Sequence, residues 1–537
     1  MSGLRVAMAL LAWGAPALAA RGPTRAETED ELRAALPAAL EAARARARTA
    51  SPVVREITMP SIERLIQDAD ARAASITVPD RDRAFVVANL ARARRYADAV
   101  ATGDDPYRAE TGTLVKAYRA DWDGALQPYA LYVPKHYTPG KPVPLIVALH
   151  GAFSDHRHNL RRVFGLDNRP GESDAEASRN ELPLPDVPAI VVSPYGRGEL
   201  MGYDGLGGAD VMRVIADVRR AYDVDPEHIT LTGLSMGGDG TWQIGLRHPE
   251  MFAALAPVCA AADFRRLVTP ADAPLFDLDA LDGQSAVALA PNAARMQVMF
   301  FHGDKDPVVS VNDSRKMADR FKQLGWLGKN VRYKEYPGVG HNAWVQAYAN
   351  AGLLRALAAI KRDPAAPKVA PPPPPDCVAV PGLMGKSAPR QVPHIYVYGT
   401  RGAPDTVEAG RRLATAMADW GPMVGAKFTV KADRDVTAAD RDQFALVLIG
   451  AAPFNALDEA RAMPDGKPLG DRAFRALVPD RAHPGRCTLV LGATTPRGFD
   501  RLRRFARQNR DARGTEPNRP FVVLGTEADV ERARSRQ

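Results

Sequence analysis

A short glycine-rich run in the middle of the chain constrains the fold more than any other segment. The run is Gly-Leu-Ser-Met-Gly-Gly, residues 233–238, and it joins an apolar, strand-like stretch at 228–232 to a stretch of helical character. In a sharp strand-to-helix turn, a side chain at either flanking glycine position would collide with neighbouring backbone. The sequence therefore predicts such a turn, with the hydroxyl of Ser235 exposed at its tip.

Apolar strands and helical stretches alternate on both sides of this turn. A hairpin is expected from 114–119 and 128–133, and single strands at 144–149, 189–193, 296–301 and 331–336. Strands that alternate with helices form a mainly parallel sheet covered on both faces. The predicted fold class is therefore α/β, with a doubly wound, mainly parallel sheet.

Candidate acid and base residues follow the later strands in the order Ser, Asp, His. Asp304 and Asp306 come just after the strand at 296–301, and His341 ends a glycine-rich turn. Imidazole titrates near neutral pH and can take the proton of a serine hydroxyl, while a buried carboxylate fixes the imidazole tautomer. We therefore assign Ser235 as nucleophile, Asp306 as acid and His341 as base.

Backbone N–H groups near the serine are candidates for stabilising a developing oxyanion. The strand at 144–149 ends in a His-Gly turn, where Gly151 or Ala152 can present an N–H group. Met236 follows the serine at the start of the helix. Gly151 or Ala152, together with Met236, is predicted to form the oxyanion hole, in which one donor contributes about 3 to 4 kcal/mol.

Four segments together resemble a known family. They are Leu149-His150-Gly151, the run 233–238, the stretch His-Gly-Asp-Lys-Asp-Pro-Val at 302–308, and Gly340-His341. They are similar to the catalytic domain of prolyl-oligopeptidase-like serine hydrolases of the α/β-hydrolase superfamily, over roughly residues 111–360. The family pattern H-G-x-x-D-x-x-V places the acid at Asp306 rather than Asp304.

The resemblance implies cleavage of an ester or peptide bond through an acyl-serine intermediate, without a cofactor or metal ion. Typical members carry a repeat-built propeller, and the lack of repeats in this chain favours an esterase over a peptidase. The alternative is a catalytically silent hydrolase fold that attaches to a polymer or protein partner through its C-terminal region. A complete triad argues against that alternative.

Composition shifts predict the domain organisation. We expect a signal peptide at 1–20, a helical N-terminal segment at 21–110, the α/β-hydrolase domain at 111–362, a proline-rich linker at 363–376 and a small α/β domain at 377–537. The signal peptide rests on Arg5, an apolar run and the small-x-small site Ala17-Leu18-Ala19, and it predicts a secreted or periplasmic protein.

Charge and cysteine content exclude some classes of function. The net charge of +8 is spread along the chain without stacking aromatic motifs, so no nucleic-acid partner is predicted, and no run is long enough for a membrane span. Of three cysteines, Cys259 is expected to be a buried free thiol, while a bridge between Cys377 and Cys487 stays open.

Further expectations concern the surroundings of the site. His150 is expected to support the oxyanion turn, and His156 with His158 to lie in a polar loop rather than a metal site. Arg197 and Tyr203 are candidate specificity residues at the pocket mouth. The long segments 154–187 and 260–295 are candidate lids.

Overall fold

The computed structural model describes twelve ranges of the chain. They are residues 27–76, 79–180, 182–200, 202–203, 205–263, 285–362, 393–419, 426–459, 468–480, 482–483, 486–511 and 521–524. The predicted signal peptide and the predicted linker lie outside them, as does Cys377.

Three helices precede the first strand: α1 (Glu29–Ala47), α2 (Met59–Ala73), which continues a π-helical turn at Val54–Thr58, and α3 (Pro79–Thr102). Thr28 caps α1, because its Oγ1 accepts a hydrogen bond from the Glu31 N–H at 3.3 Å. Leu32, Ile62 and Leu90 are buried in the same hydrophobic cluster as the strand residue Tyr129. The helical segment is therefore packed onto the sheet.

An eight-stranded sheet forms the centre of the molecule, in the order β1-β2-β4-β3-β5-β6-β7-β8. The strands are β1 (Gly112–Arg119), β2 (Leu126–Val133), β3 (Val143–Leu149), β4 (Ile190–Pro194), β5 (Val224–Leu234), β6 (Ala254–Val258), β7 (Gln297–Gly303) and β8 (Val331–Tyr336). Only β2 runs antiparallel to its neighbours, β1 and β4, and the other pairs are parallel.

Helices cover both faces of this sheet. They are α4 (His156–Val163), α5 (Asp174–Arg179), α6 (Leu206–Ala221), α7 (Met236–Arg247), α8 (Ala286–Leu289), α9 (Val311–Gln323), α10 (Trp344–Ala347) and α11 (Gly352–Ala358). Leu145 and Val147 of β3 face one hydrophobic cluster, and Ile146 and Ala148 face the other, as the two-residue period of a strand requires. The predicted doubly wound α/β fold is confirmed.

The first part of one candidate lid, segment 154–187, packs on the sheet. Helix α4 lies in segment 154–187, and its residues Leu160 and Val163 are buried against the sheet, at 2% and 0% exposure. Burial of this apolar face makes α4 one of the helices that cover the sheet. Residues 264–284 of the second candidate lie outside the described residues.

A second, smaller α/β unit follows, with strand order β10-β9-β11-β13-β12-β14. Its strands are β9 (His394–Tyr398), β10 (Val430–Ala432), β11 (Ala445–Ile449), β12 (Ala473–Pro479), β13 (Cys487–Gly492) and β14 (Phe521–Leu524), and its helices are α12 (Pro404–Ala418), α13 (Ala438–Gln443) and α14 (Pro496–Asp511).

The two sheets meet at the β1–β2 turn. The ring of Trp122 stacks on Phe428 at a centroid distance of 5.9 Å. The carboxylate of the adjacent Asp123 accepts a hydrogen bond from the Lys427 N–H at 3.0 Å.

Two further expectations can be compared with the described residues. Cys259 is a buried free thiol, as predicted, and Cys487 is disulfide-bonded. Within the ranges given above, none of the helices has the length and apolar character needed to cross a bilayer.

Candidate active site

Ser235 lies at the tip of the predicted strand-to-helix turn, between β5 and α7. Its backbone has a φ of 53° and a ψ of −121°, a conformation that non-glycine residues rarely adopt. A Cβ atom added to Gly237 would lie 2.2 Å from the carbonyl oxygen of Leu149, and one added to Gly233 would lie 2.3 Å from the carbonyl oxygen of Gly237. The two glycines therefore permit the tight packing that holds the serine in place.

His341 links the serine to a carboxylate. Its Nε2 atom lies 2.9 Å from Ser235 Oγ, and its Nδ1 atom lies 2.7 Å from Asp306 Oδ2. The Asp306 side chain is fully buried, whereas that of His341 is 18% exposed. The structure thus joins the three sequence-predicted residues into one hydrogen-bonded chain, with the imidazole open to an incoming group.

The Asp306 carboxylate receives more hydrogen bonds than the imidazole alone supplies. Its Oδ1 atom accepts from the N–H groups of Val308 and Val309, at 2.8 and 2.9 Å. Burial by itself raises the pKa of Asp306, but hydrogen bonds from His302, His341 and these two N–H groups outweigh it and hold the pKa well below its usual value. Asp306 is therefore ionised at neutral pH.

His302 is a site residue that sequence reasoning missed. Its Nε2 atom lies 3.2 Å from Asp306 Oδ2 and 3.0 Å from the carbonyl oxygen of Val309, and its Nδ1 atom lies 2.7 Å from Ser314 Oγ. A neutral imidazole satisfies all three contacts when Nε2 donates and the serine hydroxyl donates to Nδ1. The available signal was its position as the first residue of the motif that supplies Asp306.

The competing carboxylate, Asp304, has another partner. Its Oδ1 atom accepts a hydrogen bond from the Gly338 N–H at 2.7 Å. Gly338 belongs to the turn that precedes His341, so Asp304 holds that turn and Asp306 contacts the imidazole.

The predicted oxyanion turn packs directly on the serine. A Cβ atom added to Gly151 would lie 3.5 Å from the Ser235 Cβ, so Gly151 and Ala152 follow β3 beside the start of α7, where Met236 is the first residue. The His150 ring lies in the turn, with Nδ1 2.8 Å from the Gly151 carbonyl oxygen and Nε2 2.9 Å from that of Tyr195. The His150 ring thus contacts the backbone of its own turn and the backbone of the loop that follows β4.

Neither candidate specificity residue faces the pocket mouth. Tyr203 is 4% exposed, and its hydroxyl accepts a hydrogen bond from the His150 N–H at 2.9 Å. Arg197 is 2% exposed; its guanidinium pairs with Asp123 and lies 4.7 Å from the ring centroid of Trp122. The specificity prediction is wrong for both, because Tyr203 supports the oxyanion turn and Arg197 packs behind the β1–β2 turn.

Asp155 caps the helix that contains His156 and His158. Its Oδ1 atom accepts hydrogen bonds from the N–H groups of Arg157 and His158, both at 2.9 Å, and so caps α4. His156 packs its ring against Tyr195, and burial lowers its pKa to about 3. These contacts are those of a helix start.

Cys259 lies beside the acid and the base. One ligand atom each of Cys259, Asp306 and His341 falls within 4.8 Å of the others, a spacing that could hold a metal ion. However, burial raises the pKa of the thiol to about 12, which opposes the thiolate that a metal requires, and His341 Nδ1 already contacts Asp306. These atoms fit the proton-transfer chain better than a metal site.

Large exposed apolar side chains are concentrated in the segments that carry this site. Of the four found in the described part of the chain, Phe153 (67% exposed) follows Ala152, Val308 (64%) follows Asp306 by two residues, and Val345 (38%) follows His341 by four. The Trp344 ring also meets the His341 ring edge-on at 5.3 Å. The segments that carry the site therefore present apolar surface to solvent.

Comparison with known proteins agrees with this geometry. Residues 205–360 match the prolyl oligopeptidase family. The chain is 29% identical over 122 residues to acyl-protein thioesterase 1 of Gibberella zeae, an alignment that covers 22% of this chain and 43% of that relative's length.

Solved structures give more distant similarities. A thermostable esterase is 24% identical, with a TM-score of 0.35, and the match covers 47% of this chain and 63% of the esterase. A dipeptidyl aminopeptidase IV of Bacteroides ovatus is 18% identical, with a TM-score of 0.35, and the match covers 45% of this chain and 35% of the other. The matched residues 205–360 contain the hydrogen-bonded Ser235, His341 and Asp306, and this segment resembles a serine-hydrolase domain of the prolyl oligopeptidase family.

Proposed function

We propose that this protein is a serine hydrolase that cleaves an ester or peptide bond through an acyl-serine intermediate. The observation that carries the proposal is the pair of contacts made by His341, 2.9 Å to Ser235 Oγ and 2.7 Å to Asp306 Oδ2. Both lie in the range that a general base and its orienting carboxylate need.

Each residue has a separate role in the proposed reaction. Ser235 Oγ attacks the acyl carbonyl carbon while His341 Nε2 takes its proton, and ionised Asp306 stabilises the resulting imidazolium. The N–H groups of Met236 and of Gly151 or Ala152 donate to the oxyanion. His341 then protonates the leaving group, and a water molecule activated by the same imidazole releases the acid and restores Ser235.

An apolar substrate group fits the surroundings of the site best. Phe153 and Val308 expose apolar surface in the loops that carry Ala152 and Asp306, and Val345 does so in α10, four residues after His341. Removing such surface from water favours binding by about 25 cal/mol per Å². We therefore favour esters with an apolar acyl or alcohol part over proline-containing peptides.

Export from the cytoplasm belongs to the same proposal. It rests on Arg5, the apolar run at 6–11 and the small residues before position 20. Expression of the full chain in a bacterial host with a periplasm tests it. Cleavage near residue 20, measured by intact mass, supports export, and a cytoplasmic product that keeps residues 1–20 contradicts it.

Active-site labelling tests the chemistry. Purified protein is treated with a fluorophosphonate, and the adduct is detected by intact mass in the wild type, in Ser235→Ala and in Ser154→Ala, a control serine on the loop after Gly151. We expect adducts in the wild type and in Ser154→Ala only. Rates on p-nitrophenyl esters and proline-containing p-nitroanilides then decide between esterase and peptidase. No adduct on the wild type would favour the alternative, a silent hydrolase fold that binds a polymer or partner.

A further inference from the structure

A cavity of about 360 Å³ lies between α3 and the segment that contains α4 and α5. None of its lining residues belongs to the proposed catalytic machinery. Its charged lining residues are Arg81, Arg92, Arg157, Arg169, Arg179 and Glu176. Five positive charges therefore face one negative charge, a local excess of four.

The carboxylate of Glu176, which this count already includes, has partners on both of its oxygens. Its Oε2 atom accepts hydrogen bonds from the Ser173 N–H at 2.9 Å and from Ser173 Oγ at 2.8 Å. Its Oε1 atom pairs with Arg81 at 3.3 Å. The Glu176 carboxylate thus takes part in the capping box of α5 and forms an ion pair with one arginine of the cavity, Arg81.

Two carboxylates behind the cavity wall, those of Asp82 and Asp68, each pair with two arginines. Asp82, at 1% exposure, lies 3.6 Å from Arg179 and 3.7 Å from Arg72. Burial and, secondly, the neighbouring Arg72 lower the pKa of Arg179, although Asp82 and Glu176 oppose the shift.

The second such carboxylate is Asp68. It lies 2.6 Å from Arg64 and 3.3 Å from Arg157. Two arginine–carboxylate pairs lie behind the wall, Arg64 with Asp68 and Arg72 with Asp82, and the charge of Asp155 also acts on Arg157 and Arg179. The wider count is therefore seven arginines and four carboxylates, an excess of three.

The cavity lining also includes apolar side chains and two side-chain amides. Phe85 lines it and packs its ring against the Arg157 guanidinium at 5.5 Å, with Ala84 and Ala88 on the same helix. Asn89 and Asn180 also line it, and the Asn89 amide donates to the Phe85 carbonyl oxygen at 2.9 Å. The lining combines guanidinium groups with a hydrophobic face, as small-molecule sites commonly do.

We propose that this cavity is a binding site for a small organic anion that carries phosphate or carboxylate groups. The planar guanidinium group donates two parallel hydrogen bonds to either oxyanion, and such charge-assisted bonds are stronger than neutral ones. The Phe85 face contacts the apolar part of the ligand. The site is separate from Ser235 and does not depend on the hydrolase activity.

Binding of simple anions to the full chain tests the proposal. Inorganic phosphate, pyrophosphate and citrate are titrated by calorimetry at constant ionic strength. The test variant is Arg92→Gln with Arg169→Gln, which leaves in place the two lining arginines that contact Asp68 and Asp82, namely Arg157 and Arg179. The matched control is Arg94→Gln with Arg95→Gln, which removes the same charge from α3 outside the cavity lining.

We expect saturable binding of at least one probe, with a Kd about tenfold or more higher in the cavity variant and unchanged in the control. Tighter binding of a phosphate probe or of citrate identifies which of the two groups the site prefers. Absence of saturable binding to the wild type would overturn the proposal, and so would equal weakening in both variants. Circular dichroism verifies that all three proteins fold.

Discussion

Ser235 is the residue on which the proposed chemistry depends. Ser235→Ala removes the Oγ atom that lies 2.9 Å from His341 and leaves the glycines of the turn in place. We expect turnover to fall by about 10⁶, since loss of a triad nucleophile leaves only binding and oxyanion stabilisation. Steady-state rates on the preferred ester, with thermal unfolding to verify the fold, provide the measurement. A pure variant with normal turnover would refute the assignment.

His302 is expected to act through Asp306 as a positioning residue. His302→Leu removes one hydrogen bond to Asp306 Oδ2 and leaves the Ser314 hydroxyl without its acceptor. We expect kcat to fall by about 10- to 100-fold with little change in KM, because the lost charge-assisted bond is worth about 1.5 to 3 kcal/mol.

A conservative variant separates this role from loss of packing. His302→Gln retains an N–H donor that can reach Asp306, so it is expected to recover most of the lost kcat at similar thermal stability. If both variants lose activity only in proportion to their stability, His302 is a structural core residue.

Residue types in the motifs were sufficient to predict the contacts that join Ser235, His341 and Asp306, but not the orientation of neighbouring side chains. Ser235, Asp306 and His341 each follow the end of a strand, and each has the residue type that its proposed role needs. Arg197 also follows a strand end, yet it has a φ of 67° and its guanidinium packs on Trp122 of the β1–β2 turn. A loop sequence has no periodicity from which such a direction can be deduced.

At the level of secondary structure elements, the β5–α7 turn depends on its glycines. Gly237→Ala would place a Cβ atom 2.2 Å from the Leu149 carbonyl oxygen, so β3 and α7 would have to separate. We expect destabilisation by about 3 kcal/mol or more and loss of fluorophosphonate labelling. Urea unfolding and the labelling assay measure the two effects.

Gly352 provides a matched control at the start of α11. Its Cβ position has no neighbour within 4 Å, and its φ of −63° suits any residue. Gly352→Ala should be neutral or stabilising by up to about 1 kcal/mol. Equal effects of the two substitutions would show that packing at the turn does not require glycine.

Elements with a clear period were predictable, and short or interrupted ones were not. The predicted strand at 331–336 coincides with β8, and that at 128–133 lies within β2. In contrast, β10 has three residues and β12 carries Arg475 and ends in Pro479, so neither shows a continuous apolar run. Pairing with β9 and β13 defines these two strands, and that information is not local.

At the scale of the whole molecule, contacts between residues distant in sequence determine packing that local sequence patterns could not predict. Composition alone predicted a helical segment before the sheet, but not that its Leu32 and Ile62 share one core with β2. Trp122 and Phe428 are separated by a proline tract in sequence and stack on each other in the structure. Such contacts depend on the final packing of distant segments.

A buried lysine in β1 is expected to limit stability at neutral pH. Lys116 is 1% exposed, with Nζ 4.6 and 5.0 Å from the ring centroids of Tyr107 and Tyr222. Burial lowers its pKa to about 8, although Asp105, Asp217 and Glu110 oppose the shift. Below pH 8 the folded protein carries this buried charge at a cost of about 3 kcal/mol, partly offset by the two cation–π contacts.

Stability should therefore depend on pH in a defined direction. Between pH 8 and about 10.5 the unfolded chain holds a proton on Lys116 that the folded chain has released, so the free energy of unfolding rises with pH. Lys116→Met should add about 1 to 2 kcal/mol at pH 7 and less at pH 9.5, measured by urea unfolding.

Lys334 is the control for this prediction, because its Nζ also lies over a tyrosine ring, 4.8 Å from the centroid of Tyr336, but the residue is exposed. Lys334→Met should change stability by less than about 0.5 kcal/mol at either pH, since water already solvates its ammonium group. If Lys116→Met instead lowers stability at pH 7, the two tyrosine rings and the three nearby carboxylates more than compensate for burial. The lysine would then be a stabilising part of the interface between β1 and α6.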